Sequence, residues 1–155
     1  MGKTVHRDGK ASPDIIQYLK DFLKKNTLKY KIEMAFLYGS RTGGLPKSDS
    51  DIDLAVVFSD NLTDDKIFIY LTDISFLLSR IFTREVDVIS IYSDFRHPML
   101  YFNAIVYGIP VFVKDFSEYA ELKNEALFQM EDFNLFCRDW QLRIAKRNME
   151  ALHHA

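Results

Sequence analysis

Gly39-Ser40 closes an apolar run that ends Ala35-Phe36-Leu37-Tyr38, and Asp51-Ile52-Asp53 opens another that continues to Phe58, with Arg41 to Ser50 between them. This arrangement constrains the fold more than any other part of the chain. Ile32 to Tyr38 and Asp51 to Phe58 read as strands, and the connection, with Gly43, Gly44 and Pro46, reads as a turn-rich loop with room for a short helix. Strand side chains alternate, so Ile52, Leu54, Val56 and Phe58 share one face while Asp51, Asp53, Ala55 and Val57 share the other. Two carboxylates therefore point the same way beside a glycine turn. Gly39 can take backbone angles closed to other residues and present N–H groups and the Ser40 hydroxyl to an anion. Asp51 and Asp53 offer the hard oxygen ligands that magnesium prefers.

The flanking segments predict a mixed α+β fold. Ser12-Pro13 is an N-cap followed by a favourable first helical residue, and Ile15, Ile16, Leu19, Phe22 and Leu23 recur at helical spacing, giving a helix that ends near Lys25-Asn26. Thr63 caps a second helix that runs to about Phe82. Glu85 to Ile91 reads as a third strand, Phe95 to Tyr107 as a helix with Pro98 in its first turn, and Ile109 to Val113 as an edge strand because of Pro110. From Phe116 to about Leu152 the pattern is helical, with Tyr119, Leu122, Ala126, Phe133 and Trp140 on the apolar stripe. A stripe this long either packs on a core or marks a partner site. The expected organisation is a flexible arm over 1–11, a core over 12–114 and a C-terminal helical segment over 115–155 in the same domain.

Asp87 interrupts the apolar string Val86-Asp87-Val88-Ile89, where an unpaired carboxylate is costly. It is the expected third carboxylate of a two-metal phosphoryl site, whose ions sit about 3.5–4 Å apart. The alternative is an edge-strand aspartate paired with Arg84. Arg41 reads equally as a phosphate ligand or a solvated loop cation. Asp49, Asp51 and Asp53 also imitate the opening of a calcium loop, but Leu54 stands where such a loop needs glycine and Asp60 where it needs glutamate. The four histidines show no metal-ligand spacing, and Asn61-Leu62-Thr63 reads as a turn into the helix cap.

Whole-chain properties exclude other classes. A net charge of −2 over 155 residues gives no basis for direct nucleic-acid binding by charge alone. A single cysteine, Cys137, cannot form an intramolecular disulfide, and there is neither a leader-like start nor a membrane-length apolar run, so the expectation is a cytoplasmic protein with no membrane association.

Gly39-Ser40, ten residues, then Asp51-Ile52-Asp53 resembles the nucleotidyltransferase superfamily related to DNA polymerase β. The full string from Gly39 to Leu54 is most similar to the minimal nucleotidyltransferases (MNT), small proteins that commonly pair with HEPN-domain partners and several of which act as antitoxins. The resemblance implies a polymerase β-like core with a small mixed sheet flanked by helices. Gly39, Ser40 and Arg41 would then contact the phosphates of ATP, while Asp51, Asp53 and Asp87 would hold two Mg²⁺ ions. It further implies transfer of AMP to a tyrosine hydroxyl of a HEPN toxin. The alternatives are an antitoxin that acts mainly by binding, and a nucleotidyltransferase with a small-molecule acceptor. One departure from the pattern is Gly43, where many relatives carry a second basic residue in the loop.

Overall fold

The computed structural model describes residues 13–39 and 51–154. Ser40, Arg41, the rest of the connecting loop and the N-terminal arm lie outside the described residues. The chain runs α1 (Pro13–Tyr30), β1 (Ile32–Tyr38), β2 (Ile52–Phe58), α2 (Asp64–Phe82), β3 (Val86–Ser90), α3 (Pro98–Phe102), a π-helical turn (Asn103–Tyr107), β4 (Ile109–Val113) and α4 (Phe116–His153). Four strands form one mixed sheet in the order β3-β2-β1-β4. β1 pairs antiparallel with β2 and β4, and β3 joins β2 in parallel. This is the expected α+β class, with Pro110 on an edge strand that does not need its missing N–H for an inner ladder.

Alternation divides the sheet between two cores. Ile52, Leu54 and Val56 of β2 are fully buried on one face with Leu19 and Leu23 of α1 and Ile74 and Leu78 of α2. On the other face Phe36 and Ala55 pack with Tyr101, Ala104 and Ile105 from the α3 and π-turn segment, and with Ala126 of α4. Burying each large aliphatic side chain is worth about 1.5–3 kcal/mol, so the two faces together hold the sheet between helical layers.

Three boundaries differ from the sequence expectation. α1 continues past Lys25-Asn26 to Tyr30, because Asn26 turns its amide back onto the Phe22 carbonyl and Tyr30 finds a buried place that periodicity stopped short of. There the Tyr30 hydroxyl donates to Asp73 and its ring meets Tyr70 edge to face at 5.4 Å, tying α1 to α2. Lys31, at φ 52, then reverses the chain into β1. β3 is shorter than expected, Val86–Ser90, and the helix foreseen from Phe95 begins only at Pro98, since Phe95 is left-handed at φ 48. The third helix also widens into the π turn before Gly108. A Cβ on Gly108 would strike the Ala104 carbonyl oxygen, so glycine lets the turn close directly onto β4.

α2 begins as expected, with Thr63 Oγ accepting from the Lys66 N–H. Its interior serines have a second task. The Ser75 hydroxyl donates to the Val86 carbonyl at 2.6 Å, and the Val86 N–H donates to Ser79 Oγ at 3.0 Å. These bonds satisfy the outward backbone groups of Val86, the first residue of β3.

Candidate active site

Register makes the site. Asp53 is paired with Tyr38 on the antiparallel side and with Asp87 on the parallel side, so one row of side chains crosses three strands on the same face. Neighbouring strands lie about 4.8 Å apart, which brings the Asp53 and Asp87 carboxylates side by side. Asp51, two residues earlier, is exposed just before β2 on that same face. The serine bonds to Val86 hold Asp87, the next residue, at this register.

Gly39 follows Tyr38 at φ +84, and a Cβ there would collide with the Asp53 carboxylate. Left-handed geometry and this close approach both require glycine, so the backbone turn lies directly over the acidic row. Ser40 and Arg41, the other expected phosphate contacts, lie outside the described residues. In the sequence Tyr38 reads only as part of an apolar strand. It is a site neighbour as well, and its place immediately before the glycine turn is the signal that finds it.

The electrostatics match the crowding. Burial pushes the Asp53 carboxyl above the usual carboxylate range, and the charges of Asp87 and then Asp51 push it the same way. Burial also pushes the Tyr38 hydroxyl up to about 12, with Asp53 and Asp87 adding to the rise. Tyr38 is therefore protonated at neutral pH. Among the described residues no cation makes an ion pair with this row, and the expected alternative of an Arg84 bridge to Asp87 is not formed.

The residues fit a divalent cation in donor chemistry: hard carboxylate oxygens, mutually repelling, beneath a glycine turn whose missing side chain lets the backbone come close to the Asp53 carboxylate. Among the described residues no three acidic, histidine or cysteine side chains converge tightly enough to form a ligand cage by themselves. Magnesium does not need one, because it usually takes one or two carboxylates and completes its shell with water and substrate phosphates. Asp53 and Asp87 are the pair that geometry brings together, and Asp51 stands at the rim.

Three adjacent strands thus bring a glycine turn and two in-register aspartates together on one face of the sheet. Residues 17–117 match the family described as polymerase beta, nucleotidyltransferase, and the chain belongs to that family. Among solved structures, the chain is similar in fold to one described as a toxin-antitoxin with AMP-PNP, with TM-score 0.64, 16% identity and coverage of 81% of this chain and 97% of that one. A second, described as the toxin-antitoxin MntA-HepT, gives TM-score 0.61 at 15% identity over 83% of this chain and 97% of that one. A third, described as a tri-AMPylated Shewanella oneidensis HEPN toxin in complex with MNT antitoxin, gives TM-score 0.56 at 19% identity over 84% and 97%. No curated protein sequence matches the chain. Among the described residues no helix is long and apolar enough to cross a membrane.

Proposed function

We propose that this chain is an antitoxin of the minimal nucleotidyltransferase type, transferring AMP from ATP to a tyrosine hydroxyl of a HEPN-domain toxin in the cytoplasm. The observation that carries the reading is the in-register Asp53 and Asp87 pair beneath the Gly39 turn, in a chain of the polymerase β nucleotidyltransferase family. Support for the partner comes from the fold likeness to chains in toxin–antitoxin complexes, one of them holding an AMPylated HEPN toxin.

In this reading the acceptor oxygen bonds to the α-phosphorus as the bond to the departing pyrophosphate oxygen breaks, and Asp87 takes up the hydroxyl proton. Gly39, with Ser40 and Arg41 after it, seats the β- and γ-phosphates through backbone N–H groups and the loop hydroxyl and guanidinium. Asp53 and Asp87, with Asp51 at the rim, would hold Mg²⁺. Bound Mg²⁺ offsets the charge that builds on the phosphoryl oxygens. Tyr38 stays neutral beside them and closes the apolar wall below the acidic row.

The test is transfer of label from α-³²P ATP, with Mg²⁺ present, to a HEPN-domain protein purified together with this chain. Wild-type chain labels the partner, and the Asp51→Asn/Asp53→Asn variant loses at least 100-fold in rate. Equal labelling by that variant refutes the mechanism. Full neutralisation of the toxin by the same variant, with no label transferred, establishes the binding alternative instead.

A further inference from the structure

The π turn over Asn103–Tyr107 decides where one exposed ring stands. π-helical hydrogen bonds join residues five apart, and single turns of this kind recur at functional sites. Phe102 and Tyr107 are five apart, and their rings meet edge to face with centroids 5.3 Å apart and planes at 88°. Phe102 supports Tyr107 from one side, yet Tyr107 remains 67% exposed. Between them Ala104 and Ile105 are fully buried in the core that also holds Tyr38 and Phe36. One turn therefore closes the core beside the acidic row and offers an aromatic ring to the outside.

Register locates that ring. Leu37 pairs with Ile109 of the antiparallel β4, which brings Gly108 level with Tyr38. The approach is close, because a Cβ on Gly108 would lie 3.0 Å from the Leu37 carbonyl oxygen. Tyr107, one residue further, stands at the end of the sheet that carries the Gly39 turn. In the strand order β3-β2-β1-β4 it lies on the opposite side of that turn from Asp87. Two strand spacings, about 10 Å, separate β4 from Asp53 on β2, a gap that a ribose and its 5′-phosphate can bridge.

The neighbours indicate what the ring takes. A Cβ on Gly39 would strike the Asp53 carboxylate, so the turn leans toward β2 and the phosphates it seats lie above β1 and β2. Asp87, on β3, takes the proton of the acceptor hydroxyl in the function proposed above, which gives the β3 side to the acceptor. The β4 side is left for the nucleoside, and it is there that the exposed ring stands.

We propose that Tyr107 is the platform on which the base of the nucleoside triphosphate stacks. The inference rests on the nucleotidyl-transfer reading above. Every base has a π face, so an aromatic platform adds affinity for a nucleotide over a bare polyphosphate without selecting one base.

Calorimetric titration of the full chain in Mg²⁺ tests it with two probes, AMP-PNP and inorganic tripolyphosphate, which carries phosphates but no base. Tyr107→Ala raises the dissociation constant for AMP-PNP at least about 10-fold and leaves that for tripolyphosphate unchanged. Tyr107→Phe keeps the affinity for AMP-PNP, since the stacking face is retained. By NMR the adenine ring protons of bound AMP-PNP move upfield with the wild type and less with Tyr107→Ala. The assignment is overturned by unchanged AMP-PNP affinity in Tyr107→Ala, by an equal loss for both probes, or by failure of Tyr107→Phe to retain binding; each of these leaves the nucleotidyl-transfer reading standing. Unchanged AMP-PNP affinity with lost attachment of a HEPN-domain protein gives the ring to that partner and likewise overturns the assignment. A wild-type chain that binds neither probe overturns the nucleotidyl-transfer reading together with it.

Discussion

Removing a charge from the acidic row should make the metal-free protein more stable. Asp53 and Asp87 are register neighbours on adjacent strands, and Asp53 is partly buried. Two carboxylates about 5 Å apart, in surroundings midway between protein and water with an effective dielectric of about 40, repel by about 1.7 kcal/mol. The direction of the Asp53 shift fixes the sign. Its folded-state carboxyl binds a proton more readily than the unfolded one, so stability falls as pH rises from about 4 through the folded value. Asp53→Asn and Asp87→Asn should therefore each raise the melting temperature at pH 7 in EDTA, by about 3–6 °C for a gain near 1.7 kcal/mol in a chain this size. The double variant should gain little beyond either single one, because the same repulsion is removed only once. Calorimetry of the four proteins in EDTA measures the cycle, and a scan from pH 4 to 7 should show the wild-type decline flattened in Asp53→Asn. Lower melting temperatures for both single variants, or gains that add fully in the double, would refute the account. With millimolar Mg²⁺ and a non-hydrolysable ATP analogue the order should reverse, wild type gaining most.

Gly39→Ala should cost about 1–2 kcal/mol for a left-handed alanine and displace the Asp53 carboxylate, lowering nucleotidyl transfer at least 10-fold; unchanged turnover would separate the turn from the chemistry. Ser75→Ala/Ser79→Ala should destabilise the fold by roughly 1–3 kcal/mol and raise hydrogen exchange selectively at β3, since both outer bonds of Val86 are lost. Tyr30→Phe should lose about 1 kcal/mol near pH 7 with the bond to Asp73. Burial first and then Asp73 hold the Tyr30 hydroxyl well above its ordinary value, so this stabilisation is complete below about pH 10 and is lost progressively as pH rises from there through the folded value. Denaturation curves of the wild type and the Tyr30→Phe variant should accordingly converge in alkali; curves that remain parallel would argue against it.

Much of the architecture is local information. The period of two in Ile52 to Phe58 sets opposite faces for the apolar residues and the aspartates. Thr63 starts α2, and Pro110 keeps β4 at an edge. Signals of this kind need only near neighbours in sequence. The end of α1 was illegible because the residues that prolong it, above all Tyr30, answer to Asp73 and Tyr70 on another helix. The π turn was illegible for a similar reason, since the missing Cβ of Gly108 matters only against Ala104 and Leu37 brought close by the fold.

The same division holds at the site. By itself the sequence determined that Asp51 and Asp53 share a face, that a glycine turn precedes them, and that Asp87 is a charge in an apolar strand. Only the tertiary structure decided that Asp87 lies level with Asp53, that Tyr38 completes the row, and that Gly39 crowds the Asp53 carboxylate. Alternation is a property of one strand, whereas register between strands is fixed by distant contacts, here by two serines of α2 gripping Val86. α4 shows the converse: the helical spacing of its apolar stripe is plain in the sequence, but that Ala126 is its one buried residue is known only once the chain is folded.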